Sequence, residues 1–277
     1  MNKKVLITGA SRGLGICFVR RYLTEGDMVF AGVRDIEAPF IKELKKEYPD
    51  HLIPISMELS STVSVEKAAS IVSLYTDRID ILINNAGMHT GGAIETTAIE
   101  HARLQMDTNV MGMVYMLREV LPAMRKQKSG TIINFGSIGG LMGLPFQGFY
   151  SASKFAIEGI SEALRMELRQ FNINVVVINP GDFHTNNTAN RRNFLANGVN
   201  DPYADQFSKT LSIIEKDENG GWPPEVLARK LVKIIDKKNP CHRYVIASAE
   251  QKLAVILKRI LPSRWFMKIL APHYGIK

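Results

Sequence analysis

Two cysteines, Cys17 and Cys241, are all that 277 residues contain. They are too few for a disulfide framework, and their separation fits no metal-ligand spacing, so a reducing, cytoplasmic setting is expected. The six histidines are scattered, with no H-x-x-H or C-x-x-C pattern, and no metal site is expected. Long apolar runs are also missing. None approaches the roughly 20 residues of a membrane-spanning helix, and the opening "MNKKVLITGA" is too short an apolar stretch for a signal peptide. A soluble or surface-bound protein is expected. Net positive charge is missing from most of the chain. Residues 1–224 hold 23 Lys/Arg against 24 Asp/Glu, whereas Glu225–Lys277 holds 12 against 3. That asymmetry suits a local acidic partner or surface. No nucleic-acid reader motif accompanies it, so nucleic acid is not expected as a partner.

What is present is an alternation of short apolar runs with longer helical stretches. Strands are expected at Lys3–Thr8, Met28–Val33, Leu52–Ser56, Ile79–Gly87, Gly130–Ser137, Ile173–Gly181 and Arg243–Ala247. Helices are expected at Leu14–Thr24, Ile36–Glu47, Val63–Thr76 and Tyr150–Phe171, with a long helical region between the fourth and fifth strands. The strands are apolar throughout rather than alternating, as when helices cover both faces of a parallel sheet. Repeated β-α units point to an α/β protein with an open, doubly wound sheet of about seven strands. Ligands then bind beyond the carboxyl ends of the strands. The expected division is a single domain over residues 1–250, including a polar binding loop or lid at residues 182–221, and a basic tail at residues 251–277.

"TGASRGLG" (Thr8–Gly15) follows a strand and opens a helix. Gly9, Gly13 and Gly15 permit a tight turn and close backbone approach to a pyrophosphate, with Ser11, Arg12 and Leu14 between them. The helix N-terminus offers free N–H groups and partial positive charge.

Tyr150 and Lys154 share one face in the first turns of a helix, close enough for the ammonium to act on the phenol. Ser137 ends a strand 13 residues earlier. A free phenol, with a pKa of about 10, is a poor proton exchanger at neutral pH. A nearby ammonium favours the phenolate.

"TGASRGLG", "NNAG", "S…YSASK" and "NPGDFHT", in that order, resemble the short-chain dehydrogenase/reductase family from Lys4 to about Ile246. The resemblance implies a Rossmann-type sheet, a bound nicotinamide dinucleotide and a dimer or tetramer. It implies that Tyr150 gives or takes the proton at the substrate oxygen, that Ser137 hydrogen-bonds that oxygen, and that Lys154 also holds the nicotinamide ribose. Asn109, in "DTNVMG", matches the family asparagine that anchors a water, though a helix-kink role suits it equally. "NNAG" (Asn84–Gly87) resembles the segment that braces the sheet and lines the adenosine pocket, giving Asn85, Ala86 and Gly87 as cofactor contacts. Glu58 stands where the family often has an aspartate on the adenine, with Leu59 beside it. Pro180 and Gly181 turn the chain, and Thr185 matches the residue that bonds the carboxamide.

NAD readers carry a carboxylate at the end of the second strand. Here Val33 occupies that place, followed by Arg34, with Arg12 in the glycine turn. Two guanidiniums suit a 2′-phosphate, so NADP(H) is the expected cofactor. Asp35 is the alternative ribose ligand if the alignment slips.

The expected pocket wall, Gly139–Phe149 and Met88–Gly92, is rich in Met, Leu, Phe and Gly. It suits a hydrophobic ketone or alcohol, such as a steroid, a retinoid-like molecule or a long-chain keto lipid like 3-ketodihydrosphingosine. In the tail, Leu253, Ile256, Leu257, Ile260 and Leu261 share a helical face, while Lys252, Lys258 and Arg259 fall away from it. Two readings stand: an anionic membrane surface, or packing against the domain or a neighbouring subunit. The expected activity is NADP(H)-dependent interconversion of a hydrophobic ketone and its secondary alcohol. Its rivals are a non-catalytic NADP-binding sensor and a membrane-surface scaffold.

Overall fold

A computed structural model of the chain describes residues 2–184, 192, 193 and 200–276. Strands β1 (Lys4–Thr8), β2 (Met28–Val33), β3 (Leu52–Ser56), β4 (Ile81–Asn84), β6 (Gly130–Phe135), β7 (Ile173–Pro180) and β9 (Arg243–Ile246) form one parallel sheet. Its order is β3-β2-β1-β4-β6-β7-β9, so the seven expected strands are all there. The two-residue strands β5 (Thr90–Gly91) and β8 (Arg192–Asn193) pair with each other outside it.

Helices α1 (Gly13–Thr24), α2 (Pro39–Glu47) and α8 (Pro224–Ile235) cover one face of the sheet. Helices α3 (Thr62–Tyr75), α5 (Gly112–Gln127) and α6 (Gly148–Glu167) cover the other. Phe18 and Tyr22 from α1 pack with Leu227 and Leu231 on the first side, and Met113, Met116 and Ile157 fill the second. Each such side chain contributes about 1.5–3 kcal/mol by burial. That two-sided demand is why the strands read as unbroken apolar runs.

All strands run the same way, but the order in which the chain adds them changes side between β1 and β4, where a doubly wound sheet opens its crevice. The register aligns Thr8 with Asn84, and Asn84 with Asn134, so the strand ends form one row beneath that crevice. The row is tied by buried amides. Asn84 Nδ2 donates to Asn134 Oδ1 at 2.9 Å, and Asn134 Nδ2 donates to Ser161 Oγ of α6 at 2.9 Å. An unpaired buried amide costs about 1–3 kcal/mol, so the chain of bonds fixes α6 relative to β4 and β6.

Two helices start or stop more than one residue away from expectation. α2 begins at Pro39 rather than Ile36, because Asp35 Oδ1 accepts the Glu37 N–H and closes a turn there. α6 ends at Glu167, and a 3₁₀ turn over Arg169–Phe171 leads to Asn172 in the left-handed conformation (φ 55°) that asparagine tolerates. Between β4 and β6 the helical region is α4 (Ile99–Met106), a π-turn (Asp107–Met111) and α5. The second half of the expected loop at 182–221 is a helix, α7 (Ala204–Asn219). It buries Phe207, Thr210 and Ile214, a period masked in the sequence by Lys, Glu and Asp on its outer faces. Beyond β9 lie α9 (Ala249–Ile260) and α10 (Ser263–His273).

Candidate active site

The β1–α1 turn takes its shape from two glycines with positive φ, Gly9 and Gly13. Gly9 has φ +65°, and a Cβ there would sit 2.7 Å from the Ala86 backbone, so no larger residue fits. Asn85 Nδ2 donates to the carbonyls of Thr8 and Gly9, both at 3.1 Å, and Ala86 N–H donates to Thr8 Oγ1. The "NNAG" segment therefore clamps the turn from below. Arg12 caps α1 with extended backbone and no side-chain hydrogen bond to the helix, leaving the first-turn N–H groups for an anion. Burial, and then the charge of Arg34, hold the Arg12 guanidinium below its usual pKa. Arg34 is thus close enough to act on Arg12, and a pair of neighbouring guanidiniums suits an anion.

Further along the same cleft, Ser137 lies just beyond β6, and Tyr150 stands in the first turn of α6. Ser137 Oγ accepts the Gly139 N–H at 3.1 Å. A Cβ on Gly139 would lie 3.5 Å from Ser137 Oγ and 3.3 Å from Cε1 of Tyr150, the ring atom next to the hydroxyl-bearing carbon. The serine hydroxyl and the tyrosine ring thus both border the space above Gly139.

Lys154 is buried one turn on, and its Nζ donates to the Phe135 carbonyl at 2.7 Å. Desolvation brings its pKa down to about 8. Its Nζ stands 5.8 Å from the Tyr150 ring centroid. On another side, the buried His89 ring stacks on Tyr150 with centroids 4.1 Å apart and planes 22° from parallel.

Asn109 sits in the π-turn, 2% exposed, with its amide fully engaged. Its Oδ1 accepts the Met88 N–H at 2.8 Å, and its Nδ2 donates to the Met88 carbonyl and to Ser153 Oγ, both at 3.0 Å. Ser153 Oγ in turn donates to the Tyr150 carbonyl at 2.7 Å. Through these bonds Asn109 joins the loop carrying His89 to the helix carrying Tyr150.

One cavity of about 1000 Å³ joins the glycine turn to Ser137, Tyr150 and Lys154, while Asn109 and Ser153 lie behind its lining. Gly9, Ser11, Arg12, Gly13, Leu14, Arg34, Glu58, Leu59, Asn85, Ala86 and Gly87 line its first half, and Ser137, Tyr150, Lys154, Pro180 and Gly181 its middle. Gly15 does not reach the cleft surface: it is packed behind the turn against Gly9 and Asn85. Thr185 lies outside the described residues. Glu58 is at the rim with its carboxylate turned to Ser60, which donates both N–H and hydroxyl to it.

The far half of the cavity is where sequence reasoning saw least. From the expected wall, Met88, His89, Met142, Leu144 and Gln147 do face it. Added to them are Ile214 of α7, Trp222, and the inner faces of α9 and α10 through Ala254, Leu257, Phe266 and Leu270. Leu257 and Phe266 belong with Met142 and Leu144 to one small apolar cluster, so the tail is a wall of the cleft. A polar corner accompanies it. Asp182, Asp217 and Glu218 line the same end. Burial first, then the charges of Glu218 and Asp217, raise the Asp182 pKa to about 6. The tail is joined to that corner by Gln251, whose side chain donates to the Asp182 carboxylate and completes a capping box with Ser248.

Residues 3–196 match the family model described as short chain dehydrogenase. A 3-ketodihydrosphingosine reductase from Bacteroides thetaiotaomicron is 40% identical over 273 residues, covering 99% of this chain and 98% of that protein. The fold is similar to a short-chain dehydrogenase from Streptomyces avermitilis, with a TM-score of 0.84 and 26% identity over 97% of this chain and 95% of that one. It is also similar to a Burkholderia cenocepacia short chain dehydrogenase in complex with NADP, with a TM-score of 0.74 and 25% identity over 97% of both chains. The chain belongs to the short-chain dehydrogenase/reductase family, and is an oxidoreductase acting between ketone and alcohol.

Proposed function

We propose that this short-chain dehydrogenase/reductase reduces a long-chain hydrophobic ketone, of the 3-ketodihydrosphingosine type, to its secondary alcohol with NADPH. The observation that carries the reading is the single cavity, which passes from the phosphate turn, over Ser137 and Tyr150, into an apolar chamber walled by α9 and α10. The cofactor is NADP(H). Arg12 and Arg34 would hold its 2′-phosphate, the α1 N-terminus its pyrophosphate, and Lys154 its nicotinamide ribose. Bound there, it supplies the hydride.

The chain's own residues handle the proton. Tyr150 donates it to the carbonyl oxygen as that oxygen gains charge, and Ser137 hydrogen-bonds the same oxygen. The Lys154 ammonium, held by the Phe135 carbonyl, places a positive charge beside the phenol. Asn109 braces Tyr150 through Ser153, which leaves its water-anchoring role as the family resemblance has it. The acidic corner fits a cationic head group: an ammonium there would offset the burial and the neighbouring charges of Glu218 and Asp217 that raise the Asp182 pKa. The amino group of a 2-amino ketone supplies one. The relative from Bacteroides thetaiotaomicron, matched end to end, supports the same substrate class.

The test is NADPH oxidation with 3-ketodihydrosphingosine, a long-chain ketone lacking the amine, and a 3-ketosteroid. Turnover is expected in that descending order. Preference for the steroid, or none of the three consumed, overturns the reading. Assembly as a homodimer or homotetramer and a cytoplasmic, peripheral location complete the proposal. Light scattering and cell fractionation test them.

A further inference from the structure

Helices α9 and α10 expose Leu253, Ile256, Ile260, Trp265, Met267 and Ile269, each more than half accessible. The other described residues, about nine-tenths of them all, expose only ten large apolar side chains, so the density here is several-fold higher. The pattern within each helix is ordered. In α9, Leu253, Ile256 and Ile260 repeat at one-turn spacing, and Lys252 and Arg259 border that stripe. Ala254, Val255 and Leu257 take the inward side. In α10, Trp265 and Ile269 stand one turn apart beside Arg264 and Lys268, while Phe266 points inward. Lys268 Nζ lies 5.4 Å from the Trp265 ring centroid. Glu250 is the only acid between Ala249 and His273.

Leu253 and Ile269 link the two helices to the cavity. Each lines the cleft and is more than half exposed, so on this side the cleft reaches the surface at the apolar face. No helix among the described residues is long and apolar enough to cross a membrane; a basic amphipathic face of this kind suits the surface of one.

We propose that α9 and α10 dock the protein on an anionic phospholipid bilayer, with that side of the cleft against the leaflet. Lys252, Arg259, Arg264 and Lys268 meet the lipid phosphates while Ile256, Ile260 and Trp265 enter the acyl boundary. A long-chain substrate then passes from leaflet to Tyr150 without crossing water. That last step rests on the keto-lipid reading; the docking itself does not.

The test uses the full chain with vesicles of phosphatidylcholine alone, or mixed with an equal amount of phosphatidylglycerol. Trp222 and Trp265 are the only tryptophans, so Trp222→Phe isolates Trp265 fluorescence. Mixed vesicles should float with the protein at low salt, release it at high salt, and shift Trp265 emission to the blue. Phosphatidylcholine alone should do much less. Each Lys or Arg near such a surface is worth about fivefold in partitioning. The combined Lys252→Glu, Arg259→Glu and Arg264→Glu variant should therefore bind at least roughly 100-fold more weakly. Its turnover of a water-soluble ketone should be unchanged, since none of the three lines the cavity. Ile256→Ser with Ile260→Ser should also detach the protein while keeping its charge.

Binding that ignores phosphatidylglycerol, or that survives the charge reversal, overturns the proposal. So does a concentration-dependent dimer that buries Trp265 without vesicles, which would assign the face to a second copy of the chain. Vesicle binding without turnover of long-chain ketones would sink the substrate reading and leave the docking standing.

Discussion

At the β1–α1 end of the cleft, backbone and side chains are locked together by direct bonds: Asn85 to Thr8 and Gly9, Ala86 to Thr8, Asn109 to Met88 and Ser153. At the α9–α10 end, the wall is a small cluster of Met142, Val255 and Phe266 with partly buried leucines, tied to the rest by Gln251 and, at the chain's last turn, by Thr210, Gln206 and Asp217 of α7. The first end must hold a ligand of fixed shape and charge, so directional bonds serve it. The second must admit an apolar chain, and adaptable side chains serve that. The difference predicts that damage at the first end shows as lost chemistry or cofactor choice, and damage at the second as lost stability and weakened substrate binding.

The largest effect should come from Tyr150→Phe. Removing the proton donor should lower kcat by about 10²–10⁴-fold, while NADPH affinity by fluorescence titration stays within a few fold. A near-normal rate would sink the proton-transfer role. At the other end, Phe266→Ala should cost about 3–5 kcal/mol in urea unfolding, because Phe266 is 2% exposed in its cluster. It should also raise KM for a long-chain ketone and leave NADPH affinity alone. An equal loss of NADPH affinity would erase the contrast between the two ends.

Arg34→Ala should weaken NADPH by roughly 10–100-fold, the value of a charge-assisted hydrogen bond, and barely affect NADH. Equal losses for the two cofactors would remove the 2′-phosphate role.

The same contrast explains what the sequence made readable. The sheet was legible because strands buried on both faces must be apolar along their length, as in "VVVI" of β7. The glycine turn was legible because Gly9 must tolerate φ +65° hard against Ala86. The pair Tyr150 and Lys154 was legible because helix spacing puts them on one face. The far wall was not. The inward residues of α9 and α10, Ala254, Leu257, Phe266 and Leu270, carry the same types as their exposed neighbours Leu253, Ile256 and Ile269. Composition cannot say which side of such a helix meets the domain. Leu253, Ile256, Leu257, Ile260 and Leu261 form one apolar face in sequence; packing turns Leu257 and Leu261 inward and leaves the other three out. Helix α7 was hidden for the related reason that only three of its 16 residues are buried.

Lys154 offers a smaller effect with a definite sign. Its pKa falls from 10.5 unfolded to about 8 folded, because burial disfavours the ammonium. Between those two values the unfolded chain carries more protons, so this residue makes stability rise as pH climbs from about 8 to 10.5. Below that window the buried charge is a constant cost. The difference in unfolding free energy between wild type and Lys154→Met should therefore move in favour of wild type across it. A pH-independent difference would show that Lys154 keeps its ordinary pKa in the fold.

The smallest effect concerns His89, which no strand, helix period or motif singled out. Its ring is 4% exposed and stacked on Tyr150 at 4.1 Å, on a loop that Asn109 fixes through Met88. A stacked ring pair contributes about 0.5–1.5 kcal/mol beyond burial. Its consequence here is to limit rotation of the phenol away from Ser137. His89→Ala should lower kcat about 2–10-fold with KM for NADPH unchanged, whereas His89→Phe, which keeps a stacked ring, should recover most of the rate. Equal rates for the alanine and phenylalanine variants would separate His89 from the orientation of Tyr150. A loss confined to KM for the ketone would move it from the bonded end of the cleft to the adaptable one.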